Sequence, residues 1–474
     1  MARQTDRLLL VNAMLGQFIS GFASRIFIVS VPTIAAALSA DLLGVSWAVI
    51  AYELAGISLS VVFGRLGDIH GRHAIYGTGF VIMTLSSVLC GLVSGVGWLI
   101  GFRLLQGVGA ALIASATRVL ALEASPEGAE GRANGLMTMS YHGGLLLGPP
   151  LGGLVIDWLS WRWVFFLLVP IGVAGTVLTA VRGRGRRVAP AVPPPAIDYV
   201  GAILLIGLTV MLTFVLDRRS AEALGVGQKG MLSAVFALGL VGFLLHERRV
   251  VNPVVNLALF RIRMFTFSVV SLLLFATTTS VLAFLLPFYL QDVLHRSPSF
   301  VGLVFLAAPV STISLAVPAG HLTDRVGPRI PASVGLGIIM TAFAVGIGLT
   351  VDSHWIVPTL LLALLGVGQG FFNTPNQTAI LGSVPRAYRG FATGMVQMLF
   401  GLGSLLGISL GGALLTQLFR HYSGLPEAPP SADVPEPFVA AMSATYAVCF
   451  LLMAVALAAS LLRGGRRIEA AALE

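Results

Sequence analysis

Fourteen apolar runs separated by short polar turns organise this chain. They lie near 8–38, 46–63, 75–94, 97–121, 133–156, 163–181, 199–216, 230–245, 265–290, 300–319, 331–350, 355–374, 391–419 and 439–462. A helix that crosses a bilayer needs about 20 mostly apolar residues, and these runs are near or above that length. They are long and unbroken rather than short and alternating, which predicts helices instead of barrel strands. The first run is too long for a signal-peptide core and has no cleavage-like site, so it is expected to be the first span. The eighth run is the shortest of the set.

Two of the polar turns repeat. Gly64-Arg65-Leu66-Gly67-Asp68-Ile69-His70-Gly71-Arg72-His73 closes the second run. Gly320-His321-Leu322-Thr323-Asp324-Arg325-Val326-Gly327-Pro328-Arg329 closes the tenth, 256 positions later. Glycine, leucine, aspartate and glycine recur at matching offsets in both. A second register, at offset 259, pairs Gly107 and Gly109 with Gly366 and Gly368. The same offset pairs Gly135, Gly144, Gly148, Gly152 and Gly153 with Gly394, Gly403, Gly407, Gly411 and Gly412. Spans 4 and 5 therefore correspond to spans 12 and 13. The expected class is an all-α integral membrane protein of two six-helix bundles plus two extra central helices. The first bundle occupies 1–181, a basic and proline-rich linker 182–198, the extra helices with a further linker 199–262, and the second bundle 263–474.

Composition excludes a soluble domain. The 474 residues are 56% hydrophobic and 10% charged, with mean hydropathy +0.92, whereas soluble domains are about 25% charged. Of the 29 basic residues behind the net charge of +9, 28 are arginine. They sit in turns between runs, a topology signal and not the footprint of a nucleic-acid surface. With the N-terminus inside, 20 basic residues fall on the inner side and 6 on the outer, while Arg25, Arg103 and Arg118 lie within spans. That bias predicts a multi-pass protein of the plasma (inner) membrane with both termini cytoplasmic. Omitting the short eighth run would reverse every later turn and spoil the bias. Cys90 and Cys449 lie in apolar runs and read as small buried hydrophobes, without disulfide or metal spacing. No metal or other cofactor is expected. The outer loop 420–438, with five prolines, is predicted to be irregular.

Taken together, these turns and runs resemble the major facilitator superfamily, specifically its fourteen-span drug:proton antiporter branch, over nearly the whole chain. The turn Gly64–His73 is similar to the family signature between helices 2 and 3, with His70 and His73 where basic residues are usual. Arg103-Leu104-Leu105-Gln106-Gly107-Val108-Gly109 resembles the Arg-x-x-Gln-Gly signature of helix 4. Gly144-x-x-x-Gly148-Pro149-Pro150-Leu151-Gly152-Gly153 resembles the antiporter signature of helix 5, and Trp161-Arg162-Trp163 with Pro170 matches the start of helix 6. The resemblance implies a major-facilitator fold that rocks between two access states, monomeric, driven by the proton gradient. It implies a cytoplasmic gate at Gly64, Asp68, Gly71, Arg72, Asp324 and Arg325 that latches the halves; the alternative is a merely solvated turn. Gly144, Gly148 and Gly152, four apart, form a small-residue stripe, and Pro149 favours a bend beside it. The resemblance makes this seam, with Gly153, the determinant of exchange; the alternative is static packing.

The chain also departs from that branch. An aspartate is common in helix 1 before an Ala-Leu-Pro-like segment, and alignment on Pro32 puts Ala23 there, with Arg25 two residues on. Leu168 stands where helix 6 often has asparagine. Losing an acid and gaining an arginine points away from lipophilic cations and toward an anionic or zwitterionic substrate.

Charges inside spans usually face a cavity or a partner. Glu53 is the only carboxylate well inside any run. Helical rise places Glu53 about 10 Å, Arg103 about 8 Å and Arg25 about 18 Å below the outer surface. Glu53 and Arg103 are thus near-level, Arg25 would reach outward along its stem to meet Glu53, and either arginine is a candidate partner. A carboxylate releases its proton readily beside an arginine and retains it in apolar surroundings. The expected proton-coupling set is Glu53, Arg103 and His142, and the expected substrate-binding set is Arg25, Glu53 and Gln106. The alternatives are a permanent ion pair that fixes packing and, for His142, a helix contact.

The expected function is an H⁺-coupled secondary transporter exporting a small amphiphilic compound, a drug or metabolite. Its partners are the lipid bilayer and that small molecule. A carrier of an organic anion or lipid-like metabolite is the alternative, and a membrane sensor or enzyme a remote one. The sequence has no cluster of nucleophiles or metal ligands at one face, and no Gly-x-x-x-x-Gly-Lys-Ser/Thr loop for ATP.

Overall fold

The computed structural model describes residues 6–39, 42–126, 128–183, 198–216, 226–251, 253–424 and 434–464. All regular structure in them is helical. The first half holds α1 (Arg7–Ala37), α2 (Leu42–His70), α3 (Arg72–Leu92), α4 (Val96–Ala124), α5 (Glu130–Trp158) and α6 (Leu168–Gly183). A single turn, Trp163–Phe166, leads into α6. Then come α7 (Tyr199–Leu216) and α8 (Val226–Glu247). The second half holds α9 (Arg263–Phe288), α10 (Ala307–Val326), α11 (Arg329–Ile347), α12 (Ile356–Gly382), α13 (Arg389–Ser423) and α14 (Pro435–Leu462), with a short helix Pro298–Phe305 before α10.

Among the described residues, twelve helices are long and apolar enough to cross a membrane. The other two long helices are α5, glycine-rich and diluted by polar residues, and α7, whose described apolar stretch is Tyr199–Leu212. Residues 184–197 of the expected linker and 425–433 of the proline-rich loop lie outside the described residues.

The two halves repeat one packing plan. In the first, α1 lies along α5, α2 along α4, and α3 along α4 and α6; in the second, α9 lies along α13, α10 along α12, and α11 along α12 and α14. The turns repeat as well. Gly71 before α3 has φ +98° and Gly327 after α10 has φ +81°, a left-handed backbone that side-chain-bearing residues rarely adopt. The halves meet through α2 against α13 and α5 against α10. Of the extra helices, α7 rests on α2 and α13, and α8 rests on α7. Asp198 holds that pair at one end, accepting from Gly201 N–H (2.8 Å) and bonding His246 Nε2 (3.0 Å). The outer face of α8 exposes apolar side chains such as Leu238 and Val241, as a lipid-facing helix does.

The α5 stripe packs on α1. A Cβ on Gly144 would run into the backbone of Phe18 and Phe22, and Gly148 and Gly152 lie against Arg25 and Ile26. Gly403, Gly407 and Gly411 repeat the contact against α9, on Ala276, Thr277, Ser280 and Val281. Gly153 takes no part in the seam: a Cβ there meets nothing within 4 Å. Pro149 and Pro150 both lie inside α5, which continues past them to Trp158. Gly144→Leu is therefore expected to destabilise the protein by about 1–3 kcal/mol through overpacking, while Gly153→Leu is near neutral. Thermal unfolding of the two detergent-purified variants compares them; equal midpoints would contradict the seam.

Candidate functional site

Each anchor aspartate reaches into the opposite half. Asp68, at the end of α2, accepts from Gly390 N–H (3.0 Å) and Phe391 N–H (3.0 Å) in the first turn of α13. Asp324, at the end of α10, accepts from Gly131 N–H (2.6 Å) and Arg132 N–H (3.0 Å) in the first turn of α5. A helix N-terminus presents unpaired N–H groups and the positive end of the macrodipole, so one carboxylate satisfies both. The approach is close because glycine meets glycine. A Cβ on Gly64 would strike the Gly390 carbonyl and one on Gly390 the Gly64 carbonyl; Gly131 and Gly320 form the same reciprocal contact.

Arg72 completes the first anchor. Its guanidinium pairs with Asp68 (2.8 Å) and Glu123 (2.6 Å) and donates to the Arg386 carbonyl across the interface (2.7 Å). The Asp68 side chain is 1% exposed. The second anchor has Pro328 in place of Arg72. Arg325, expected in the gate, is exposed and makes no hydrogen bond or ion pair among the described residues, because it points off the interface that Asp324 enters. Gly71 serves the turn alone, with nothing within 4 Å of a Cβ placed there. Further in, Ser60 Oγ donates to the Gly394 carbonyl (3.1 Å), Asn134 Nδ2 to Thr378 Oγ1 (3.1 Å), and Thr374 Oγ1 to Thr138 Oγ1 (3.3 Å). These bonds seal the anchor side.

Beyond the seal, away from the anchors, a cavity of about 520 Å³ lies between the halves. Thr138 and Gln377 stand at its floor, and Trp47 and Ile408 near its far end. Its charged groups are Arg25, Glu53 and Arg118, with His142 beside them. Among the described residues Glu53 is the one carboxylate in the wall. It accepts from Ser24 Oγ at 3.1 Å. His142 Nδ1 lies 2.9 Å from the Thr138 carbonyl one turn back on its own helix.

Glu53 forms neither of its candidate arginine pairs. Among the described residues no ion pair within 4 Å joins Glu53 to Arg103 or to Arg25. Arg103 meets α2 beside Glu53, at Ala48 and Tyr52, but α4 turns it into the core of the first half. There it is 1% exposed and lies between the rings of Phe27 and Tyr52, each 4.3 Å away. Its Nε donates to the Ala48 carbonyl (3.2 Å) and its Nη1 to Gln106 Oε1 (2.6 Å), and Gln106 Nε2 donates to Ser87 Oγ (2.7 Å). Aromatic faces and hydrogen bonds together satisfy the buried charge. Arg103 and Gln106 thus brace four helices of one half, and neither lines the cavity.

Sequence reasoning assigns no role to Arg118, which the structure places in the wall at 5% exposure. Its Nε and Nη1 have no hydrogen-bond partner among the described residues. The available signal is an arginine in an apolar run with no acidic residue within one turn of it on its own helix.

The sequence profile of the Major Facilitator Superfamily matches residues 13–276 and 267–470. The riboflavin transporter RibZ of Clostridioides difficile (strain 630) is 27% identical over 416 residues, covering 87% of this chain and 89% of RibZ. The multidrug transporter protein MdtP of Bacillus subtilis (strain 168) is 26% identical over 420 residues, covering 87% of this chain and 76% of MdtP. The solved structure of the human organic anion transporter MFSD10 (TETRAN) shares the fold, with a TM-score of 0.61 at 14% identity, covering 95% of this chain and 100% of that one.

Proposed function

We propose that this chain, which belongs to the Major Facilitator Superfamily, is a proton-coupled exporter of a small amphiphilic compound. As a member of that family it is a multi-pass membrane transporter and not an enzyme. The observation that carries the finer reading is Glu53. It is the one carboxylate in the cavity wall among the described residues, hydrogen-bonded to a serine and free of any arginine ion pair. A group so placed exchanges a proton with whichever side the cavity faces. A cavity between two halves sealed at one end is one state of an alternating-access cycle. In this reading the anchors and both termini face the cytoplasm of a cell-membrane protein that works as a monomer. The proton gradient is its energy source, and its partners are the bilayer and the transported compound.

The test uses purified protein in proteoliposomes with an imposed pH difference. Riboflavin, which the name of RibZ says that protein carries, and lipophilic dyes form the first panel. Accumulation should vanish when nigericin collapses the pH difference; accumulation that survives would overturn proton coupling. A second reading, an organic anion or lipid-like metabolite as cargo, is favoured by Arg25 and Arg118. Both face the cavity and neither is paired with a carboxylate among the described residues.

A further inference from the structure

Proton coupling through Glu53 leaves the cavity floor without a role. Arg118 lines the same cavity, 5% exposed, with Nε and Nη1 unpartnered among the described residues. Arginine keeps its charge at any physiological pH, so a buried guanidinium with open N–H groups calls for an acceptor. Two amides from α12 of the other half face the same cavity. Asn373 is 4% exposed and Gln377 2%, and Asn373 Oδ1 and Gln377 Oε1 likewise have no partner among the described residues. Thr138 on the floor bonds Thr374, which lies between Asn373 and Gln377 in sequence. Either amide can turn its NH₂ toward an incoming oxygen, since the assignment of O and N exchanges by a flip. One guanidinium from the first half and two amides from the second line the same cavity, and together they offer it the donors an oxyanion needs.

Charge narrows the class. The wall carries Arg25 and Arg118 against Glu53, so in the step with Glu53 ionised and His142 neutral it holds one uncompensated positive charge. A cationic cargo would add repulsion in a poorly screened site, and a dianion would overshoot. A single carboxylate matches both the charge and the planar fork of arginine. We infer that the cargo is an amphiphilic monoanion whose carboxylate sits on Arg118 between Asn373 and Gln377. Its apolar body then lies against Phe275, Phe400 and Ile408. This rests on the transporter reading above and names the compound class that the same site carries.

The experiment compares 2-naphthylacetate, its primary amide and 2-(2-naphthyl)ethylamine, one ring with a negative, neutral or positive head. Equilibrium dialysis against the full-length protein in nanodiscs reads their affinities. The acid should bind about tenfold more tightly than the amide or better, with the amine weakest. Arg118→Gln should erase the acid's advantage and leave amide binding within about twofold, which also shows that the variant is folded. Should Arg118→Gln fail to fold, Asn373→Leu with Gln377→Leu tests the donor set from the other half, with the same expected direction. Equal binding of acid and amide, no saturable binding of the acid, tightest binding of the amine, or an acid preference that survives Arg118→Gln would each overturn the anion site. Those outcomes leave the transporter reading standing, whereas accumulation indifferent to the pH difference overturns the coupling and not the site.

Discussion

Glu53→Gln abolishes uphill transport and spares downhill exchange of the same compound. Glutamine fills the same volume and can still bond Ser24 Oγ, which lies 3.1 Å from the carboxylate, but it has no proton to give or take. One unit of pH difference is worth about 1.4 kcal/mol per proton, enough to hold about a tenfold gradient of cargo in one-for-one exchange driven by pH alone. In proteoliposomes the accumulation ratio should therefore fall from about ten to about one, with counterflow retained. Sustained accumulation by the variant would move the proton site elsewhere in the cavity, with His142 the next titratable group in the wall.

Asp68→Ala opens the anchor side. The substitution removes two bonds to the first turn of α13 and one of the two carboxylate partners of Arg72. Losing charged hydrogen bonds and a helix cap together costs the sealed state roughly 2–4 kcal/mol. That is a shift of about 30-fold to about 1,000-fold in the ratio of sealed to open molecules. Ser60 reports it, because it is fully buried behind the anchor and bonded to Gly394. In a background lacking Cys90 and Cys449, Ser60→Cys should react with an impermeant maleimide at least about 30 times faster when Asp68 is alanine. Asp324→Ala should raise labelling in the same direction, since it removes two bonds to the first turn of α5. Unchanged labelling in both would make the anchors bystanders.

The fold was largely written in the sequence because its determinants are periodic. Run length, arginine placement and two glycine registers define fourteen helices in two similar halves, and even the short eighth run is a helix, Val226–Glu247. The site was legible only in part. Asp68 and Asp324 announce themselves by repetition, but their partners at Gly390 and Gly131 lie in the other half, and no local pattern names them. Depth along a helix follows from residue count, and Arg103 does meet the part of α2 next to Glu53, at Ala48 and Tyr52. Direction around the helix depends on what packs there, and Phe27 and Tyr52 hold Arg103 inward. Gln106 follows Arg103 into the core, held there by its bonds to Arg103 and Ser87. Arg118 is visible in the sequence as an arginine within a span but gets no role from it, because its importance lies in what fails to contact it, and that is a property of the folded cavity.

When the anchor side opens, α5 and α13 lose their borrowed carboxylates in the same step. Each then presents a turn of bare N–H groups and a positive dipole end to the surrounding water, the arrangement that draws small inorganic anions to helix starts. Dissolved anions and the two aspartates thus compete for the same two landing places. The ionic make-up of the bathing solution becomes a participant in the cycle, lengthening or shortening the open interval without touching the cavity at all.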